Sequence, residues 1–377
     1  MNQGSSPTPQ TFANVIADSR IIVCCGSGGV GKTTTAAAIA GQAATSGRKV
    51  VLITIDPAKR LADALGLSHL TNDPSPISLP DLRGPGQLWA MMLDARATFD
   101  DVIRQQARSE DQVRRILDNP FYNNIASRLS GSQEYMAAEK LYELFNDSRF
   151  DLVVVDTPPT REALDFLDAP QKLINFLDHR VYRWMIAPAR GGLKVLNLAA
   201  QPILRTLGRV IGADVLADAI NFFQAFEGIE NGFRQRADAV QALLRSPASR
   251  YVVITTPRQD TVAEAMYFGD QLERAGITVT GIILNRLQPT FGAESARAAS
   301  EAADVAEAAG DSTLATLQRN VAHLGHLAEA VSTAVAPLLQ RRASAVVARL
   351  FQRAEDVHDL ETIADLGREL VGSAASE

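Results

Sequence analysis

Short runs of apolar, largely β-branched residues recur along the chain, and each stops at a polar or glycine-rich break. Ile21 to Val23 leads through Cys24 and Cys25 into Gly26, Arg48 to Ile55 (RKVVLITI) into Asp56-Pro57, and Leu152 to Val155 into Asp156. Leu88 to Leu93 (LWAMML), Tyr251 to Thr255 (YVVIT) and Val279 to Leu284 (VTGIIL), the last ending at Asn285, have the same character. Continuous apolar runs of this length predict strands buried on both faces, as in a parallel sheet. Between them the pattern turns helical. Thr34 to Ser46 is alanine-rich and is closed by Gly47, Ala58 to Leu65 and Asp260 to Ala275 read as helices, and Gly276 stops the latter. Residues 71 to 87 are dense in Pro, Gly and Asp and read as loop. The span 94–150 reads as helical and charged, with turns near Asn119-Pro120 and Ser130-Gly131. The span 161–248 is mainly helical, with breaks near Ala187-Pro188 and Arg190-Gly191-Gly192, and Glu294 to Leu370 reads as an alanine- and leucine-rich helical tail.

Strands alternating with helices predict an α/β fold: a mostly parallel central sheet flanked by helices and joined by right-handed crossovers, with an inserted helical subdomain. The expected organisation is a disordered leader over residues 1–12, rich in Ser, Pro, Gln and Gly, and a single domain over 13–377 with helical elaborations at about 94–150 and 161–248. Within the second elaboration, Val215, Leu216, Ala219, Ile220, Phe222, Phe223 and Phe226 recur at helical spacing. Internal core is the favoured reading of that face, and a partner surface is the alternative.

The stretch from Ile21 to Thr35, IIVCCGSGGVGKTTT, carries the chemistry. A strand, then Gly26, four residues, and Gly31-Lys32-Thr33 give the spacing of a phosphate-binding loop and predict a P-loop NTPase. Gly28, Gly29 and Gly31 permit backbone turned so that N–H groups, including that of Val30, face phosphate oxygens. Lys32 opens a helix whose positive end favours anions and reaches the β- and γ-phosphates of a nucleotide; Thr33 supplies a hydroxyl to Mg²⁺, and Thr34 continues the cradle. A tight connection without a ligand would also be glycine-rich, but it would not require the strand-to-helix context found here.

Parallel sheets bind ligands at the carboxyl ends of their strands, so Asp56 and Asp156 are expected on the same edge as the loop. Asp56 is a candidate to hold Mg²⁺ through water or to orient the attacking water, and an N-cap for the following segment is compatible with either. Asp156 is the candidate for the metal side, with an N-capping Asp at the end of a buried strand as the alternative, and Thr157-Pro158-Pro159 after it can respond to loss of the γ-phosphate. Asn285 offers an amide donor and acceptor to an adenine edge, with a capping or turn role as the alternative.

Composition narrows the partners. The chain has 377 residues, 46% hydrophobic, and a net charge of −6, which argues against a general electrostatic grip on nucleic acid or an anionic membrane. No secretory leader pattern and no apolar run of membrane-spanning length occur, so a cytoplasmic protein without a transmembrane segment is expected. The only cysteines, Cys24 and Cys25, are adjacent on a strand and should point to opposite faces as buried hydrophobes. His323 and His326 lack an accompanying ligand at metal spacing, and Met91, Met92 and Met136 read as core filling.

With these stretches in place, the chain resembles the family of arsenical-pump and tail-anchored-protein-targeting ATPases, in the deviant phosphate-loop class that includes the Par and Min positioning ATPases. Its likeness is greatest to the actinobacterial branch. The resemblance is carried by GSGGVGKTTT at 26–35, TIDPAKRLADALG at 54–66, DTPPTREALDFLDAP at 156–170 and the stretch from Thr255 to Arg286. It implies an Mg²⁺-dependent ATPase in which Lys32 and Asp56 are catalytic, Thr33 and Asp156 serve the metal and Asn285 reads adenine. It also implies a dimer whose nucleotide cycle gates binding of a protein client. This chain departs from the family in having Ser27 where the class has a lysine, a cation whose trans contribution in comparable sites is about 10³–10⁵-fold in rate. A lysine-bearing paralogue in a heterodimer, or Arg161, is the expected substitute. The arsenite-binding cysteines and the zinc-binding Cys-x-x-Cys are also missing, and Met185 is the only methionine in 171–248, which argues against arsenite handling and a methionine-lined client groove. The alternative function is a nucleotide-dependent interaction subunit with little turnover of its own. A phosphotransferase would need an acceptor pocket that no stretch of the sequence identifies.

Overall fold

The computed structural model describes residues 11–56, 60–79, 84–125, 132–179, 212–289, 295–357 and 359–372. Among the described residues the first elements are α1 (Phe12–Asp18), β1 (Ile21–Cys25), α2 (Lys32–Thr45), β2 (Lys49–Thr54), α3 (Arg60–Ala64), β3 (Ser75–Ile77) and β4 (Gln87–Met92). A helical stretch follows as α4 (Ala95–Gln106), α5 (Glu110–Leu117), α6 (Pro120–Ile125) and α7 (Ser132–Asn146). After β5 (Leu152–Asp156) come α8 (Thr160–Asp178), α9 (Ala213–Ala225), α10 (Glu230–Leu244), β6 (Ser249–Thr255), α11 (Gln259–Arg274) and β7 (Val279–Leu287). The last described elements are α12 (Ala296–Ala308), α13 (Ser312–Arg341), β8 (Val346–Phe351) and α14 (Leu360–Gly372).

The strands form one sheet of eight in the order β3-β4-β2-β5-β1-β6-β7-β8. All neighbours are parallel except β3 against β4. The apolar runs explain this arrangement, because successive residues of each central strand enter opposite layers. Ile22 and Cys24, Val50 and Leu52, and Leu152 and Val154 face α1, α2 and α14. Ile21, Val23 and Cys25, Val51 and Ile53, and Val153 and Val155 face the layer that includes α7, α8, α10, α11 and α13. The two cysteines therefore lie on opposite faces, free and buried, as alternation predicts.

The two helical elaborations share one core. Val102, Ile103, Ile116 and Tyr122 from the first pack with Phe222, Phe223, Phe226 and Phe233 from the second. Ala219, Phe222, Phe223 and Phe226 are buried, so most of the stripe on α9 is core, while Val215 at its start is 47% exposed. Helices α7, α8 and α10 run between this cluster and the sheet: Met136, Ala169 and Phe233 belong to the helical core, whereas Ala138, Phe166 and Val240 lie against the strands. The breaks expected at Ala187-Pro188 and Arg190-Gly191-Gly192, the turn at Ser130-Gly131 and Met185 lie outside the described residues, as do residues 1–10.

Three boundaries differ from expectation. Thr11 caps α1 by accepting a hydrogen bond from the Asn14 amide, and Phe12 is buried, so residues 11 and 12, read from the sequence as leader, belong to the folded body. The loop at 71–87 contains β3, whose Pro76 is tolerated because the strand lies at the sheet edge. The tail is not helical throughout, because Val346, Ala348 and Leu350 alternate with outward-facing Arg349 and Phe351 to form β8 at the opposite edge. Its period of two is embedded in a long alanine-rich helical context that masks it. α14 then returns over α2, where Gly367 allows close approach to the Ala38 carbonyl and Leu370 is fully buried. Leu370→Ala is expected to lower stability by about 2–5 kcal/mol, read as a reduced urea midpoint; an unchanged midpoint would show that the tail is not part of the core.

Candidate functional site

The carboxyl ends of β1, β2 and β5 meet where the glycine loop turns into α2. Gly29 and Gly31 have φ of 78° and 91°, left-handed conformations that a side chain would strain. Gly26 packs against β6 so closely that a Cβ would lie 2.2 Å from the Ile254 carbonyl oxygen. These constraints hold the loop's course, with Gly28 and Gly29 exposed at its tip and Val30 buried beneath. Lys32, 8% exposed, folds back and its Nζ donates to the Ser27 carbonyl at 2.9 Å. Thr33 and Thr34 follow, both half-buried, in the first turn of α2, where unpaired amides and the helix dipole favour an anion.

Asp156 lies beneath the loop, in register with Cys24 of β1 on one side and Thr54 of β2 on the other. It is 1% exposed. Its Oδ2 accepts hydrogen bonds from the Thr33 hydroxyl at 2.8 Å and the Thr54 hydroxyl at 3.0 Å, while Oδ1 has no hydrogen-bond partner. Burial raises its pKa to about 6, against the lowering influence of the two hydroxyls and Lys32, and Asp56 adds a smaller upward push. A buried carboxylate with one oxygen unsatisfied fits a hard cation that would complete it. Thr33 and Asp156 are thus brought together as expected, and with Thr33 next to Lys32 they would serve a magnesium ion beside bound phosphates.

Asp56 is half-buried just beyond β2, on the same edge. The next residue of the loop after Asp156, Thr157, is anchored by its hydroxyl donating to the Cys24 carbonyl at 2.7 Å. Ser27 is buried with its hydroxyl unpaired, so it supplies no cation to the loop. The side chain of Arg161, the expected substitute, lies outside the described residues. Burial raises the Cys24 thiol well above its ordinary pKa and the Cys25 thiol to about 12, which keeps both neutral and unreactive at pH 7.

Asn285 lies across the loop from Asp156. Its Nδ2 donates to the Val30 carbonyl at 2.8 Å and its Oδ1 accepts from the Arg286 amide at 2.9 Å. The reverse amide orientation would set two carbonyl oxygens face to face. Arg286 has φ of 57° at a register shift between β7 and β8, and this irregularity accompanies the turn of the Asn285 side chain towards the loop. A cavity of about 500 Å³ opens beside it, lined by Gly31, Thr34, Asn285, Phe351, Gln352 and Asp356 among others. Its outer wall comes from the end of β8, which a helical reading of the tail concealed. Thr54 was also missed, because a threonine inside an apolar strand looks like ordinary strand filling until its neighbour across the ladder is known. Among the described residues no cluster of His, Cys, Asp and Glu forms a separate metal site, and no helix is long and apolar enough to cross a membrane.

The sequence profile of a family described as anion-transporting ATPase matches residues 19–306. "ATPase GET3" of Malassezia globosa is 31% identical over 167 residues, 44% of this chain and 47% of that protein. "ATPase GET3" of Rhodotorula glutinis is 26% identical over 282 residues, 74% of each. The "Arsenical pump-driving ATPase" of Acidiphilium multivorum is 25% identical over 276 residues, 71% of this chain and 40% of that protein. For two of these three relatives the chain thus spans about half the relative's length or less.

The burial of Asp156 generates a test of the site that needs no ligand. Its pKa in the folded chain lies above the unfolded value of 3.8, so the folded state binds the proton more tightly. The stability contributed by the protonated carboxyl is fully present below pH 3.8 and is lost as pH rises through about 6. Asp156→Asn should therefore stabilise the ligand-free protein at pH 8 by about 1–3 kcal/mol, with the gain vanishing towards pH 4. Urea midpoints at the two pH values check this; an equal effect at both would remove the buried charge from the account.

Proposed function

Because the chain belongs to the anion-transporting ATPase family, we propose that it binds Mg·ATP at the loop from Gly26 to Thr34 and hydrolyses it. The observation that carries the reading is the Thr33–Asp156 hydrogen bond directly below the loop, with the second carboxylate oxygen unsatisfied. Loop amides and the start of α2 hold the phosphates, and Lys32 exchanges its contact with the Ser27 carbonyl for phosphate oxygens. Thr33 and Asp156 would hold magnesium, which would supply positive charge beside the phosphates. Asp56 orients water for in-line attack on the γ-phosphorus: the new P–O bond forms as the bond to the ADP oxygen breaks, and the water's proton leaves through Asp56. The base occupies the cavity beside Asn285 and Phe351, where adenine is the expected occupant.

The proposed output is movement of the helical body. The Thr157-Pro158-Pro159 loop joins Asp156 to α8, and α8 carries residues of both the sheet-side and helical cores. A change at the γ-phosphate would reach the helical body through this helix and gate a protein client, in a dimer and in the cytoplasm. Arsenite handling is disfavoured because the chain's two cysteines are both buried. Ser27 favours a second reading, an ATP-dependent interaction subunit with slow turnover, since its buried hydroxyl stands where a transition-state cation would be useful. In that reading a lysine-bearing partner supplies the charge, and mixing the two subunits raises turnover.

Asp56→Asn should lower kcat about 10²–10⁴-fold while leaving ATP affinity nearly unchanged, measured by phosphate release and equilibrium binding. Lys32→Ala should weaken binding itself. Unaltered turnover in Asp56→Asn would overturn the role of Asp56, and rapid turnover by the isolated wild-type chain would overturn the slow-subunit reading.

A further inference from the structure

We propose that Thr54 is a positioning residue for the metal-side carboxylate: its buried hydroxyl fixes Asp156 so that Oδ1 is presented towards Mg²⁺. This rests on the Mg·ATP reading above. Thr54 is 2% exposed, and its hydroxyl donates to Asp156 Oδ2 at 3.0 Å. An aspartate carboxyl rotates through a broad range about its last torsion. Thr33 alone would leave that rotation poorly restrained, and Thr33 belongs to the helix end that must accommodate nucleotide. Thr54 comes from the other side, on a strand fixed by the sheet.

The register makes this second restraint rigid. Thr54 and Asp156 are paired positions of β2 and β5, and the amide of the next residue, Ile55, donates to the Asp156 carbonyl at 3.0 Å. Side chain and main chain of Asp156 are therefore both tied to the end of β2. With both hydroxyl protons directed at Oδ2, Oδ1 is left unsatisfied in a buried setting. Two residues beyond Thr54 the same strand end carries Asp56, so one segment sets the metal-side carboxylate and the water-side carboxylate relative to each other. A residue present only to fill the strand would need its methyl and not its hydroxyl.

Thr54→Val keeps the shape and removes the donor; Thr54→Ser keeps the donor and removes the methyl. ATP affinity is measured by calorimetry with and without Mg²⁺, alongside thermal melting. The expected result is that Thr54→Val loses about tenfold of the Mg²⁺-dependent gain in affinity, the effect of one hydrogen bond to a charged group, with Mg²⁺-free affinity unchanged, and that Thr54→Ser retains the gain. Full retention of the gain in Thr54→Val, or an equal loss in Thr54→Ser, overturns the proposal. If Thr54→Val fails to fold, Thr54→Ala against Thr54→Ser gives the same comparison. Absence of any Mg²⁺-dependent gain in the wild-type chain instead overturns the Mg·ATP reading, and this inference with it.

Discussion

A carboxylate buried under a glycine loop is the constraint on which the site depends. Asp156 is held by hydroxyls from two different elements, Thr33 at the start of α2 and Thr54 at the end of β2, and retains one oxygen without a partner. Burying a charge in this way costs stability, and burial accordingly raises its pKa to about 6. The sheet makes the burial possible, since β1 and β2 flank β5 and the apolar layers on both faces leave only the carboxyl edge open. The loop above it has little freedom: close packing of Gly26 on β6, left-handed glycines and the Asn285 contact to Val30 confine it from three directions.

The same sheet has two unequal sides. On one, small residues of α2 let α14 pack close, producing a dense layer with little room for change. On the other, α7, α8 and α10 extend past the sheet into a second core rich in phenylalanine, where Phe222, Phe223, Phe226 and Phe233 pack with Tyr122. A confined loop edge joined by helices to a separately packed body is an arrangement suited to transmitting a local change, because packed interfaces move as units.

The sequence was most informative where local chemistry and backbone geometry coincide. The central strands were legible because each is an uninterrupted apolar run, and Lys32, Thr33 and Asp156 because motif spacing fixes them to a strand-to-helix turn and a strand end. β8 was not legible, since VVARLF has too few residues to announce its period against the helices on either side. Losing β8 also concealed Phe351, Gln352 and Asp356 as one wall of the cavity beside Asn285. Thr54 was hidden for another reason: its partner is 102 residues away, and only the register of β2 against β5 reveals the contact. The sequence places Asn285 at a strand end with a nucleotide or a capping role open, and its anchoring contact to Val30 becomes visible only with the strand irregularity at Arg286.

The central claim is that the phosphates of Mg·ATP occupy the loop between β1 and α2, with Thr33 and Asp156 below it serving the metal. Amide hydrogen exchange of the full chain, with and without Mg·ATP, tests this directly. The account predicts added protection concentrated in residues 26–35 and in the segment following Asp156. Binding of Mg·ATP that leaves both segments unprotected would contradict it.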